Sequence, residues 1–241
     1  MSNKKTIHLL IDTSCLWKAG PEFSNPDFRK LLQFSKDGLP RKDGLLRIFI
    51  PHIVWEERRT QLIENLYGKV RHLSESFKGI TAEFGGSNFV QGLSPPTLSI
   101  WSKTEIDAKS KEWMANFAAE NGIEIIPLAN DHAERSWQRY FNVDPPFNPA
   151  VVEREKRRKD IPDAWIFEAA IDVQRMHPDL SALCGDGALS NAMQTQGIRI
   201  FKEARQVLDE IEKILDTKPV AKAEKTNDAA PMMVATENKL D

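Results

Sequence analysis

Four acidic positions stand at the edges of apolar runs, where a carboxylate needs a partner. In KTIHLLIDTSCLWK, residues 5–18, the run Ile7–Ile11 stops at Asp12, and Thr13 and Ser14 follow. The run LLRIFI, 45–50, is closed by Pro51, and HIVWEERR then brings Glu56 and Glu57. Asp163 opens PDAWIFEAAIDVQRM, 162–176, just behind the charged stretch EREKRRKD that ends in Asp160. Asp186 follows the run LSALCG, 180–185, within ALCGDGAL. A charge at the edge of a core is costly unless something positive meets it. Crowded carboxylates without a counter-charge take up protons. Hard oxygen donors suit Mg2+ or Mn2+, which keep several waters and also bind phosphate oxygens. Such an ion lowers the pKa of its water and stabilises in-line attack on phosphorus; a pair of ions would stand roughly 3.5–4 Å apart. The expectation is that Asp12, Asp163, Asp186 and one helix glutamate share a divalent cation.

The elements that must position these acids are short. Apolar runs without alternation fall at 7–11, 45–50, 123–128, 180–185 and 197–201, the pattern of a parallel sheet covered on both faces. Between them, Ile63, Leu66, Val70, Leu73 and Phe77 step by three and four, one face of a long amphipathic helix starting near His52. Ile106, Trp113 and Phe117 mark another helix, which closes at Asn121-Gly122. The stretch at 162–176 begins with Pro and Asp, a good helix opening. Alternating strands and helices predict an α/β fold with right-handed crossovers: a three-layer α/β/α sandwich around a central, mainly parallel sheet of about five strands. In such a sheet, ligands sit beyond the carboxyl ends of the strands, the rim that receives all four acids.

The ordered set strand–Asp-Thr-Ser, strand–Pro–helix with Glu, Pro-Asp-Ala at a helix start, and strand–Gly-Asp resembles the PIN domain, the PilT N-terminus-like metal-dependent nucleases. The resemblance runs from about Ile7 to about Leu215. It implies that Asp12, Asp163 and Asp186 are catalytic metal ligands holding one or two Mg2+ or Mn2+ ions. The family's spacing puts the helix acid six residues after the strand-ending proline; this selects Glu57, with Glu56 as the alternative. Ser14 matches a hydroxyl found beside the first Asp, and Asp160 is a further acid expected near the ligands. One position departs: Cys184 stands where the family usually carries Thr or Ser. Cys15 and Cys184 follow strands that are neighbours in the family's sheet, so the two thiols are expected together near the site. Taken singly, they read as small buried apolar side chains.

By the same resemblance, 1–216 is one PIN-like nuclease domain with a helical or loop insertion at about 79–121. The irregular GGSNFVQGLSPPTLS, 85–99, lies inside that insertion. The tail, 217–241, has low hydrophobicity and no period and is expected to be disordered. The implied activity is metal-dependent hydrolysis of phosphodiesters, by a single-stranded RNA endoribonuclease. In many relatives this is the toxin of a toxin–antitoxin pair. The implied partners are an RNA substrate, an antitoxin-like inhibitory protein and a second copy in a homodimer. The alternative is a PIN-like module that binds RNA or protein and cuts weakly or not at all. All four acids are retained, and Cys184 is the one hint in that other direction.

Each signal also has a bland reading. Asp12 could cap a helix, Asp163 could serve a helix dipole, and Asp186 before Gly187 could be a turn residue. The four arriving in order at one rim favour the metal site. Arg58, Arg157, Arg158 and Lys159 are candidates for RNA phosphate contact, although a charge run broken by Glu153 and Glu155 is commonly a solvated helix face. Trp17, Trp55 and Trp165 adjoin the motifs; packing is favoured over base stacking. The five histidines show no zinc spacing.

Composition bounds the rest. The 241 residues carry a net charge of −2, which argues against a polycation that coats nucleic acid in bulk, and 41% hydrophobic content supports a core. The apolar run 7–11 is too short for a signal peptide, no stretch is long enough to span a membrane, and two cysteines fit a reducing compartment, so the cytoplasm is expected. Specific residues disfavour three rival folds. A haloacid-dehalogenase-type site needs a second Asp where Ser14 stands. A von Willebrand A-type site needs a Ser where Leu16 stands. A dinucleotide-binding turn needs the glycines that DTSCLWKAG lacks.

Overall fold

Chain entry into the core sets the order of everything else. The computed structural model describes residues 6–20, 23–36, 45–84 and 102–216. Its elements are β1 (Ile7–Ile11), α1 (Thr13–Lys18), α2 (Pro26–Lys36), β2 (Leu46–Pro51), α3 (His52–Phe84), α4 (Lys103–Glu120) and β3 (Ile123–Ile126). Then follow α5 (Asn130–Asn142), α6 (Arg154–Arg158), α7 (Ile161–Met176), β4 (Ser181–Leu183), α8 (Gly187–Thr195), β5 (Arg199–Phe201) and α9 (Ala204–Asp216). Leu9, Leu10, Ile48, Phe49 and Ile50 are buried consecutively along β1 and β2 because helices cover both faces.

The five strands form one all-parallel sheet in the order β3-β2-β1-β4-β5. Right-handed crossovers place α2 and α4 on one face and α5, α7 and α8 on the other, and α9 returns to pack on α2. The α/β/α sandwich expected from the strand–helix alternation is the architecture found. Because the first two crossovers run one way from β1 and the later ones run the other way, the chain reverses direction between β1 and β4. Their carboxyl ends therefore flank the crevice where such sheets bind ligands.

Several elements differ from the sequence reading. The run at 123–128 yields a strand only to Ile126, since Pro127 has no N–H for the ladder. The run at 180–185 yields only Ser181–Leu183, because the chain turns into the loop before α8. The α3 stripe is at most half-buried: the buried residues of α3 are Val54, Trp55, Arg58 and Arg59, all in its first turns. In α4 the buried side is Ile106, Met114 and Ala118, with Phe117 packed against it, while Trp113 points outward. A Ser102–Glu105 capping box starts α4, a signal present in the sequence as SKTE. No described helix is long and apolar enough to cross a membrane. The irregular stretch 85–99 and the tail 217–241 lie outside the described residues.

Candidate metal-binding active site

The sheet delivers the acids to the β1–β4 crevice by four routes. Asp12 continues β1, its N–H bonding the Leu183 carbonyl at the end of β4 (3.0 Å). Its backbone begins α1, but its side chain makes no cap bond, so the carboxylate is free to face the crevice. Although only 3% exposed, it is ion-paired to no cation among the described residues. Its contacts are hydrogen-bond donors: Ser14 Oγ donates to Oδ2 at 2.6 Å, and the Cys184 thiol approaches the same oxygen at 3.6 Å. Ser14 Oγ in turn accepts from the Gly185 N–H (3.0 Å), tying the ends of β1 and β4 together. A Cβ at position 185 would fall 2.6 Å from that hydroxyl, so only glycine leaves the bridge intact.

Glu57 and Glu56 separate cleanly. Thr13 Oγ1 donates to Glu57 Oε2 at 2.5 Å, which holds Glu57 beside the first motif. Glu56 is turned to Arg59, which bonds it through both Nε (2.9 Å) and a terminal nitrogen (2.7 Å) and also reaches Asp107 on α4. The acid that Thr13 orients lies 44 residues away, a distance that local patterning does not bridge.

Asp163 sits in the first turn of α7 and makes no hydrogen bond or ion pair among the described residues. Its carboxyl is pushed up to about 7, by burial first and then by Asp186, Asp12, Asp160 and Glu57. Asp160 is also raised, by burial and then by Asp186. Asp186 caps α8, accepting the Leu189 N–H on Oδ1 at 2.8 Å. Lys202 Nζ bonds the Ser190 hydroxyl (2.6 Å) and lies 3.4 Å from the Asp186 carbonyl, so this cation is held by a hydroxyl and the backbone of Asp186 rather than by a carboxylate. Both cysteines are buried and unbridged, and Cys184 is pushed up to about 12 by burial and then by Asp12.

In kind, the donor set fits a hard divalent cation: carboxylates, one of them, Asp163, without a partner among the described residues, in a cluster whose charges weigh on one another. In spacing, the side chains are not drawn into a ligand shell. Among the described residues no three His, Cys, Asp or Glu side chains stand at metal-holding geometry. Mutual repulsion, together with the hydroxyl, thiol and N–H donors on Asp12, Glu57 and Asp186, accounts for carboxylates that share a rim without converging.

The basic and aromatic candidates divide. Arg58 is 3% exposed and turned inward, donating to the Gly20 carbonyl at 2.7 Å. Arg157 is half-buried over the Tyr140 ring, whereas Arg158 and Lys159 are exposed. Trp55 is buried beside Phe23 and Trp165 is half-buried. Trp17 departs from the packing expectation: its indole is 52% exposed and is backed by the Arg58 guanidinium at 5.4 Å.

No curated protein matches the chain. A family model described as PIN domain matches residues 9–180, a span that takes in Asp12, Glu57 and Asp163 and ends just before Asp186. That match covers more than half of the sequence, and the parallel five-stranded sheet agrees with it. The chain therefore belongs to the PIN domain family, whose members are typically metal-dependent nucleases acting on nucleic acids.

Proposed function

We propose that this chain is an endoribonuclease that cuts single-stranded RNA with Mg2+ or Mn2+ held by Asp12, Glu57, Asp163 and Asp186. The observation that carries the reading is Asp163: a carboxyl in the crevice with no partner of its own among the described residues, raised to about 7 by burial and four neighbouring acids. Such a group is a functional-site candidate. A divalent ion bound there supplies a Lewis acid and an activated water. The chain's own residues do the positioning. Ser14 and Thr13 fix Asp12 and Glu57, and the α8 cap fixes one oxygen of Asp186. Arg158 and Lys159, exposed and close in sequence to Asp160 and Asp163, are suited to the RNA backbone. A role as a toxin held by an antitoxin-like protein is consistent with this chemistry. The test is cleavage of labelled single-stranded RNA with Mn2+, with EDTA, and with Asp12→Asn. Cutting by the parent protein with Mn2+ alone supports the reading; tight binding without cutting under any metal favours the RNA-binding module instead.

Two substitutions sharpen the assignment. Glu57→Gln lowers the cleavage rate at least tenfold more than Glu56→Gln, because Glu56 is already neutralised by Arg59. Single-turnover rates measure it, and the reverse order would move the ligand by one residue. Trp17 lies one helical turn beyond Thr13 on the same side of α1, so its open indole can take a base next to the crevice. Trp17→Ala weakens binding of single-stranded RNA by roughly 5- to 100-fold, the value of about one stacked base, and Trp17→Phe recovers most of it. Anisotropy titrations in EDTA read this out; unchanged affinity would remove Trp17 from the RNA path.

A further inference from the structure

The carboxyl end of α5 presents two aromatic rings to solvent. Trp137 and Phe141, four residues apart, share one side of the helix. Phe141 is 70% exposed and Trp137 39%, and their rings lie 5.9 Å apart at 28°. The loops on both sides of α5 belong to the unbroken described stretch 102–216. α5 runs antiparallel to α7: His132 meets Asp172, Arg139 meets Glu168, and Tyr140 packs in one cluster with Ala164. The aromatic end of α5 therefore lies beside the first turn of α7, which carries Asp163. Tyr140 is the link. Its buried ring meets Trp137 edge-on at 5.5 Å and Phe141 at 5.4 Å, and its hydroxyl donates to the Arg154 carbonyl of α6 (3.2 Å). One ring thus separates the exposed pair from the residue after Asp163. Positive charge adjoins the rings. The Arg157 guanidinium lies 5.6 Å from the Tyr140 ring centre. Arg154, Arg158 and Lys159 are exposed and make no ion pair among the described residues. Of the acids nearby, Glu153 is taken up by Lys156, and Glu155 lies within α6.

We propose that Trp137 and Phe141 form a stacking platform for single-stranded RNA, with Arg154 and Arg158 on the phosphates of the same strand. Flat rings beside unpaired cations suit a chain that offers π-faces and negative charge together. The core of a protein interface is depleted in charge, whereas here three unpaired cations border the rings. Arg154 and Arg158, four residues apart, share one side of α6, so one run of backbone can meet both. The platform is separate from Trp17, which α1 carries. Two stacking positions on different elements would hold a strand at two points, a geometry that a base-paired duplex cannot satisfy because its bases already stack on one another. The proposal rests on the endoribonuclease reading for where that strand is cut, and adds to it a second binding region and a preference for unpaired substrate.

Anisotropy titrations of the full chain in EDTA, with a labelled single-stranded RNA of about 15 nucleotides, test the platform without any cutting. Phe141→Leu and Trp137→Leu are each expected to weaken binding by roughly 5- to 100-fold, the value of about one stacked base, while Phe141→Tyr stays within about twofold of the parent. Phe141→Leu should keep the parent's melting temperature, since the ring is exposed. Arg158→Ala should lower the slope of log affinity against log salt by about one. Affinity for a duplex RNA of the same length should be unmoved by Phe141→Leu. Single-strand binding that is undetectable in the parent, or indifferent to both ring substitutions, overturns the proposal; indifference leaves the rings to a protein partner. Equal losses on single strand and duplex overturn base stacking. If the parent cuts RNA with Mn2+ while both Leu variants bind as it does, the platform fails and the nuclease reading stands. If binding depends on the rings and no metal supports cutting, the platform stands and the nuclease reading fails.

Discussion

Replacing Asp163 by Asn is expected to raise the melting temperature in metal-free buffer at pH 8 while abolishing cleavage. The folded carboxyl titrates at about 7 against an ordinary value of 3.8. Between those values the folded state keeps a proton that the unfolded chain has lost, so stability falls as pH rises through that window. Above it the penalty is fully present, about 4 kcal/mol as an upper bound for a carboxyl that stays partly open to solvent. Below about pH 4 both states are protonated and the penalty vanishes. Asn cannot ionise, so the variant should lose this slope and melt several degrees above the parent at pH 8, with the two curves meeting in acid. Thermal melts from pH 4 to 8 in EDTA measure it; parallel curves would show that Asp163 ionises without strain and would remove it from the cluster.

Glu168→Gln should be strongly destabilising, by about 2–4 kcal/mol, because the carboxylate is buried while its two arginine partners stay partly open to solvent. Glu168 is 1% exposed on α7 and accepts from two arginines of α5, Arg135 Nε at 2.5 Å and Arg139 Nε. Arg135 also reaches Asp131 (2.7 Å) and Asp172 (3.0 Å), and Asp172 holds the buried His132 at 2.7 Å. Removing the charge leaves a buried amide in place of the carboxylate that joins two guanidinium groups, of which Arg135 keeps Asp131 and Asp172. A fall of about 10 °C in melting temperature is expected for a domain of this size. Glu153→Gln, which breaks the exposed pair with Lys156 at 2.9 Å, should change it by less than about 1 kcal/mol. Since α7 carries Asp163 in its first turn, cleavage by Glu168→Gln should fail only as the protein melts. Equal effects of the two substitutions would contradict the network's role.

The strands were legible because uninterrupted apolar runs have few alternatives in a chain that also carries helical periods. Their ends were less so: Pro127 stops β3, but nothing in LSALCG marks Leu183 as the end of β4. The acids could be placed at one rim from strand order alone, since each follows a strand or opens a helix above it. Their distances could not, because side-chain direction depends on partners such as Thr13 and Ser14 that only the folded chain supplies. Arg58 shows the same limit from the other side. A basic residue beside Glu57 looks like a phosphate contact, yet its guanidinium is turned to the Gly20 carbonyl, which a left-handed glycine presents at the end of α1. The α3 period is visible in sequence, but period alone does not tell a core face from one that stays partly exposed, as Leu66, Leu73 and Ile80 do.

Calorimetric titration of Mn2+ into metal-free protein at pH 7.5, beside Asp12→Asn and Asp163→Asn, addresses the shared carboxylate site most directly. Saturable binding to the parent protein, with proton release as Asp163 ionises and binding weakened at least tenfold in either variant, is the predicted result. No saturable heat with the parent protein, or equal binding in all three, would contradict a cation held jointly by these residues.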